Sequence, residues 1–172
     1  MAHKQPAAVG LFFRLFLIIA IVLGSVLLVR EFDLDMPGLG SNNCADTNMY
    51  VTYKNVTLTA QSTRPYRIET AKTVTQQEFG LSDRPCYPQD GALLFMFATD
   101  DKFGIWMKNM KFNIDVLWLD SNKKVVHIEQ NLTPDSYPTV YYPNNDARYV
   151  IEVNAGQAST VLKASVGTQF NW

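Results

Sequence analysis

The chain has 172 residues, of which 47% are hydrophobic and 18% are charged. This length and composition predict one folded domain with an appendage and exclude a largely disordered chain. Its 15 basic and 16 acidic side chains give a net charge of −1, so the strong positive field typical of nucleic-acid-binding proteins is absent. We predict no nucleic-acid partner.

The first predicted element is a transmembrane helix over residues 10–29. This stretch, "GLFFRLFLIIAIVLGSVLLV", carries a single charge at Arg14, and as a helix it would be about 30 Å long, enough to cross a bilayer. A cleaved secretory signal is the alternative, but no small-residue cleavage motif follows the apolar run. Positive charges precede the span and acidic residues follow it, so residues 1–9 are predicted to be cytoplasmic.

These features predict a single-pass protein of the plasma membrane, with the lipid bilayer as the partner of residues 10–29. Residues 30–43, "REFDLDMPGLGSNN", have the glycine-rich and polar composition of a flexible tether. The folded domain is predicted to cover residues 44–172 and to lie outside the cytoplasm.

Within this domain the apolar residues alternate mostly with the period of two that is typical of strands. The predicted strands lie within residues 49–60, 66–71, 92–98, 114–120, 124–130 and 148–154. Residues 114–120 and 124–130 flank a tight hairpin turn that Asp120 opens. The segment "ALLFMFA" is apolar on both faces, which indicates a strand covered on two sides.

Helical patterns are fewer, at "TVTQQEFGLS", with Thr73 or Thr75 as the N-cap and Gly80 near the end, and at "AGQASTVLKA". The predicted fold class is therefore α+β and β-dominated. It is a compact, antiparallel, barrel-like or sandwiched domain with one or two short helices behind a single transmembrane helix.

The inventory of reactive side chains is small. His127 is the only histidine of the domain and lies on the polar face of its strand, and there is no Cys/His cluster, so we predict no metal and no cofactor. Cys44 and Cys86 both fall on the predicted outer side, where a disulfide between them is favoured over two free thiols. The alternative, a nucleophilic Cys86, has no histidine nearby in sequence to activate it.

Four carboxylates of the domain stand out, and one of them, Asp120, is explained by the hairpin turn that it opens. Glu69 and Glu152 lie on the less apolar face of their strands, which predicts solvated side chains. Asp115 instead shares its face with leucines and therefore needs partners, because an unpaired buried charge is costly. Its candidate partners are Lys108, Arg84, Arg148 and backbone amides.

Five motifs occur in a fixed order: "EFGLSDRP", "GALLFMF", "FGIWMKNMKFNIDVLWLD", "VVHIEQNLTP" and "YVIEVNAGQA". Together they resemble the domain of unknown function 192 family, an uncharacterised protein family, over residues 66–170. The matching positions are Gly80, Leu81, Arg84, Gly91, Leu94, Phe95, Phe97, Trp106, Met107, Lys108, Asn109, Ile114, Asp115, Val125, Val126, Ile128, Pro134, Glu152, Ala155 and Gly156. The resemblance implies a small β-rich fold, often behind a signal or an anchor, and no established reaction.

The segment "FGIWMKNMKFNID", residues 103–115, has two interpretations. In the first, Trp106 covers the core and Lys108 forms a structural ion pair with Asp115 or Glu152. In the second, Trp106 is the wall of a shallow pocket with polar contacts around it. The candidate ligand-binding residues are Trp106, Lys108, Asn109, Asp115, Arg84 and Glu152.

The sequence thus predicts a membrane-tethered extracytoplasmic module that binds a small ligand or an envelope protein. One alternative is a hydrolase-like enzyme that uses Asp115 or Glu152 as acid or base. Another is a structural or assembly factor for an envelope protein. No catalytic motif of a known class is present, so the enzyme is the less favoured interpretation.

Overall fold

The structure is a computed structural model that describes Cys44 and residues 55–172. The predicted transmembrane helix at residues 10–29, the tether at residues 30–43 and most of the first predicted strand lie outside the described residues. Among the residues described, no helix is long and apolar enough to span a bilayer.

Strands dominate this part of the chain, with two short α-helices and one turn of 3-10 helix between them. In chain order the elements are β1 (Asn55–Val56), β2 (Tyr66–Ala71), α1 (Val74–Phe79), β3 (Gly91–Asp101), β4 (Ile105–Trp106), β5 (Ile114–Leu119), β6 (Val125–Leu132), the 3-10 turn (Pro134–Ser136), β7 (Val140–Tyr141), β8 (Ala147–Asn154) and α2 (Gln157–Thr160).

Six strands form one mixed sheet in the order β1-β2-β3-β8-β5-β6, and β4 pairs with β7 in a separate two-stranded sheet. Within the described residues β1 and β6 are opposite edges of an open sheet, so the barrel-like alternative of the prediction is wrong. The prediction of a wholly antiparallel sheet is also wrong, because β2 and β3 are parallel. The connection between them contains α1, the crossover that a parallel pair requires.

The prediction of α1 is confirmed, with Thr73 as its N-cap. The Thr73 side chain accepts a hydrogen bond from the Gln76 amide, and the Gln76 side chain accepts one from the Thr73 amide, which makes a capping box. Gly80 ends the helix at φ +53°, a conformation that favours glycine.

Both faces of the large sheet are covered. On the first, called face A, Leu93, Phe95 and Trp118 belong to one apolar cluster; on the second, called face B, Leu94 and Leu117 belong to another. Covering segments therefore remove both sides of most strands from water. The prediction that Glu69 and Glu152 are solvated is wrong for this reason, since they are only 5% and 4% exposed on face A.

Two local predictions are confirmed, and the prediction that His127 is a solvated residue on the polar face of its strand is wrong. The β5–β6 hairpin turns at Asp120, whose Oδ1 accepts hydrogen bonds from the Asn122 and Lys124 amides. Cys44 and Cys86 form a disulfide, with 42 residues of sequence separation. His127 is half-buried rather than solvated, because it packs edge-on against Trp118 and its Nε2 lies 3.0 Å from Glu129 Oε1.

Candidate functional site

A cleft of about 320 Å³ opens on face A, between α1 on one side and the β4–β7 sheet on the other. Its walls are mainly apolar, and its aromatic and aliphatic side chains come from α1, β3, β4 and the segments beside them. They are Phe79, Phe95, Phe97, Phe103, Ile105 and Met110, with Trp106, Val140 and Tyr142 also lining it. An apolar concavity of this size is typical of a small-molecule site.

The β4 wall is held in place by the strand beneath it. The indole Nε1 of the buried Trp118 donates a 2.7 Å hydrogen bond to the Phe103 carbonyl. Ile105 and Met107 then point into the face A core, while Trp106 between them is 43% exposed. This alternation is the one predicted for the segment.

Gly104 allows Tyr142 and Val140 at the rim of the cleft to pack closely against the backbone just before β4. A Cβ atom at this position would lie only 2.6 Å from side-chain atoms of both Tyr142 and Val140. Any larger residue would therefore push Tyr142 away from the wall. Tyr142 itself is 58% exposed, so the rim presents aromatic surface to solvent.

Glu152 is the carboxyl group at the base of this cleft. It lies on β8, opposite Leu93 of β3 and Val116 of β5, and is 4% exposed. Its Oε2 would lie 3.7 Å from a Cβ placed on Gly80, so the glycine leaves it close to the end of α1. Burial raises the pKa of Glu152 to about 8, and the nearby Arg84 guanidinium opposes this only in part.

Behind Glu152, Arg84 forms a buried two-bond ion pair with Glu69. Its two terminal nitrogens donate hydrogen bonds of 2.9 and 2.7 Å to the two Glu69 oxygens, and both side chains are less than a tenth exposed. Arg84 also lies over the ring of Tyr87, 5.3 Å from its centroid. Burial, followed by the Glu69 charge, raises the pKa of the Tyr87 hydroxyl well above its usual value.

Asp115 lies on the other side of the sheet. It pairs with Val153, whereas its neighbour Val116 pairs with Glu152, so the Asp115 and Glu152 side chains point to opposite faces. Its two oxygens accept 2.9 Å hydrogen bonds from the amides of Asn131 and Ala158. Among the predicted partners, the backbone amides are therefore correct, and the predicted pairing of Asp115 with Lys108 is wrong.

Lys108 and Asn109 lie outside the cleft, beside its rim. Lys108 Nζ is 5.7 Å from the centroid of the Trp106 ring. The Lys108 and Asn109 carbonyls accept hydrogen bonds from the Ser82 hydroxyl and the Asp83 amide, which ties this turn to the end of α1. Of the six predicted ligand residues, Trp106 and Glu152 thus line the cleft, and Arg84 supports it from behind.

Sequence reasoning missed the aromatic walls and the role of Glu69. Phe95 and Phe97 were matched only as family positions, although their spacing of two places both on one strand face. Tyr142 and Gly104 gave no local signal, because their contact joins segments nearly forty residues apart. Among the residues that the structure describes, no group of His, Cys, Asp or Glu is arranged to hold a metal ion.

The fold and the cleft define a class: a β-dominated domain with a mixed sheet and an aromatic cleft above a buried carboxyl. The family model DUF192, described as Uncharacterized ACR, matches residues 56–172. The chain belongs to this family, and the match begins ten residues before the predicted range.

Two solved structures are similar to the chain, each with a TM-score of 0.61. A protein from Sinorhizobium meliloti 1021, described as a candidate transcription regulator, is 29% identical, with 66% of this chain and 88% of that chain covered. A protein of unknown function from Novosphingobium aromaticivorans DSM 12444 is 26% identical, with 67% and 81% covered. No curated protein matches the chain.

Proposed function

We propose that the domain binds a small organic molecule in the cleft on face A. The observation that carries the proposal is the cleft itself, in which apolar aromatic walls surround one buried carboxyl with a raised pKa. Such a combination of a mostly apolar concavity and one polar group is how proteins hold and orient small ligands. The hydrocarbon part of the ligand would contact Phe97 and Phe103, and a polar group would reach Glu152.

The exposed rim supports the same function. Trp106, Val140 and Tyr142 are 43%, 36% and 58% exposed around the mouth of the cleft. Large apolar side chains gathered at one opening are unusual on a surface and are typical of a binding site. A ligand that entered the cleft would cover part of this surface.

We further propose that this module lies outside the cytoplasm, tethered by the predicted helix at residues 10–29. The charge asymmetry around that segment and the Cys44–Cys86 disulfide, which is typical of an oxidising compartment, support this location. Protease added to intact cells should remove residues 44–172. Complete protection in intact cells, followed by cleavage after lysis, would contradict it.

The activity named for the Sinorhizobium protein is not part of the proposal, because this chain has a net charge of −1. An acid–base role for Glu152 is the second candidate function. The raised pKa of this cleft carboxyl favours it. The predicted alternative of Asp115 as the acid or base does not fit, since both of its oxygens are held by amides.

The test is a ligand screen on the full-length protein, held in lipid nanodiscs because of the predicted span. Thermal shift and ligand-observed NMR should identify soluble aromatic compounds that bind. Val140→Trp should then abolish these signals, because a larger side chain at this exposed rim position obstructs the mouth.

Val166→Trp is the matched control, since Val166 is 68% exposed and lies away from the cleft. It should leave binding unchanged. If no compound binds, or if binding survives Val140→Trp in a correctly folded protein, the proposed function is wrong.

A further inference from the structure

The charged side chains that line the cleft are all acidic. Among the described lining residues, Glu78 is exposed and Glu152 is buried at the base, and neither a lysine nor an arginine lines the cleft. The described lining therefore offers no positive charge to an anionic ligand. A cationic ligand would find the Glu78 carboxylate, and it would find the Glu152 carboxylate once that group has lost its proton.

The walls also suit a cation. The faces of aromatic rings carry partial negative charge and attract ammonium groups within about 6 Å of the ring centroid. Phe103, Trp106 and Tyr142 all line the cleft. Trp106 already contacts one ammonium group, that of Lys108, at 5.7 Å on the exposed surface.

The buried charges around Glu152 balance only when one further positive charge, a proton or a bound cation, is present. Arg84, whose positive charge acts on Glu152, is paired through two hydrogen bonds with Glu69. Tyr87 faces the same cluster as a neutral phenol. With a proton on Glu152 this buried group of side chains is neutral, and without that proton its charge is −1. A bound cation can therefore take the place of the proton.

We propose that the ligand of the cleft is a small organic amine with an aromatic or branched hydrocarbon part, bound as an ammonium ion against Glu152. This inference rests on the proposed function, and it names the chemical class of the ligand. The hydrocarbon part packs on the phenylalanines, and the ammonium group lies between Glu152 and the aromatic rim.

Proton release follows from this arrangement. Because the pKa of Glu152 is about 8, the carboxyl is mostly protonated at neutral pH. An ammonium ion then binds by forming an ion pair with the carboxylate, and the carboxyl proton goes to the buffer. Affinity should rise with pH by up to about tenfold per unit until the carboxyl is ionised, and should fall again at higher pH, where the amine itself loses its proton.

The experiment compares three compounds of similar shape, which are benzylamine, benzyl alcohol and benzoate. Isothermal titration calorimetry on the full-length protein in nanodiscs at neutral pH should show benzylamine binding about tenfold more tightly than benzyl alcohol, and benzoate most weakly. Repeating the benzylamine titration in two buffers of different ionisation enthalpy should reveal the release of close to one proton.

Glu152→Gln should lower the benzylamine affinity about tenfold at the pH where the carboxyl is ionised, and should remove the rise of affinity with pH. Asp146→Asn is the control, because it removes an exposed carboxylate that does not line the cleft, and it should change neither quantity. Trp106→Leu tests the aromatic wall independently. It should weaken benzylamine about three- to tenfold while changing benzyl alcohol less.

The outcomes separate the two proposals. If none of the three compounds binds and the wider ligand screen is also negative, the proposed function fails. If benzyl alcohol or benzoate binds as tightly as benzylamine, or if benzylamine binds without releasing a proton, the cleft binds ligands and the inference about amines is overturned.

Discussion

Two buried carboxyl groups, Asp115 and Glu152, occupy adjacent levels of neighbouring strands and have opposite environments. Asp115 is fully buried on face B, and each of its oxygens accepts an amide hydrogen bond. Glu152 is almost as buried on face A, yet it lines a cleft and its pKa is raised to about 8. Burial alone therefore does not distinguish a structural carboxyl from one that is a candidate for ligand binding. The donors around each group do.

The backbone around Asp115 explains its environment. The β5–β6 register shifts between Ile114 and Val116, and Asn131 adopts φ +56° at this irregularity. The Asn131 amide thereby turns towards Asp115 instead of the strand ladder. The second donor, the Ala158 amide, belongs to the first turn of α2. Asp115 thus fixes a bulge and a helix start, whereas Glu152 fixes neither.

The largest test of this comparison is the pH dependence of stability. The pKa of Glu152 is higher in the folded than in the unfolded state. Its contribution to the free energy of unfolding is therefore complete below about pH 4.5 and is lost as the pH rises to about 8. Relative to Glu152→Gln, the wild type should lose stability steadily across this window, by several kcal/mol in total. Urea unfolding at several pH values measures this, and parallel curves for the two proteins would show that Glu152 is not buried as described.

The next largest effect concerns the ion pair behind the cleft. Glu69→Met leaves the buried Arg84 without its two-bond partner and should cost about 3–5 kcal/mol in the free energy of unfolding. The double variant Glu69→Met/Arg84→Met should recover much of this loss, because a matched apolar pair replaces the two charges. Additive losses measured by urea unfolding would contradict the pairing.

A smaller loss is expected on face B. Asp115→Asn keeps the shape of the side chain but replaces one acceptor by a donor, which leaves either the Asn131 or the Ala158 amide without its acceptor. The expected cost is about 1–3 kcal/mol, without any effect on ligand binding. Loss of binding in a folded Asp115→Asn protein would mean that the two carboxyls are not functionally distinct.

The smallest effect is expected for Lys108→Ala. Its ammonium group is exposed and contacts the face of Trp106, so removing it should cost less than about 1 kcal/mol. Thermal unfolding and amine binding measured on the same sample check this. A loss as large as that of Glu69→Met would mean that Lys108 has a buried partner.

Much of the fold could be predicted from local patterns. The strand periods located β2, β3, β5, β6 and β8, and the sequence between Thr73 and Gly80 located α1 with its cap. The parallel pairing of β2 and β3 was missed, although a helix between two strands is the usual signal for it. Closure into a barrel depends on pairing between distant edges, which no local pattern specifies.

The candidate site was harder to predict because it depends on which face of the sheet each residue lies on and on which segments cover that face. Alternation correctly grouped Asp115 with Leu117, and Trp106 with Lys108. It could not show that the segment around Trp106 packs on the face opposite to Asp115. Nor could it show that face A is covered, and this covering turns Glu152 from a surface residue into the base of a cleft.

The disulfide also determines the covalent path by which a mechanical force on the N-terminal part of the chain reaches the sheet. Cys44 is bonded to Cys86, so residues 45–85 form a closed covalent loop, which includes β1, β2 and α1. A pull on the chain ahead of Cys44 passes through the sulfur atoms to Cys86 and reaches β3 through the few residues that follow. The segment within the loop carries no tension, and the force instead enters the sheet beside Tyr87, next to the buried ion pair.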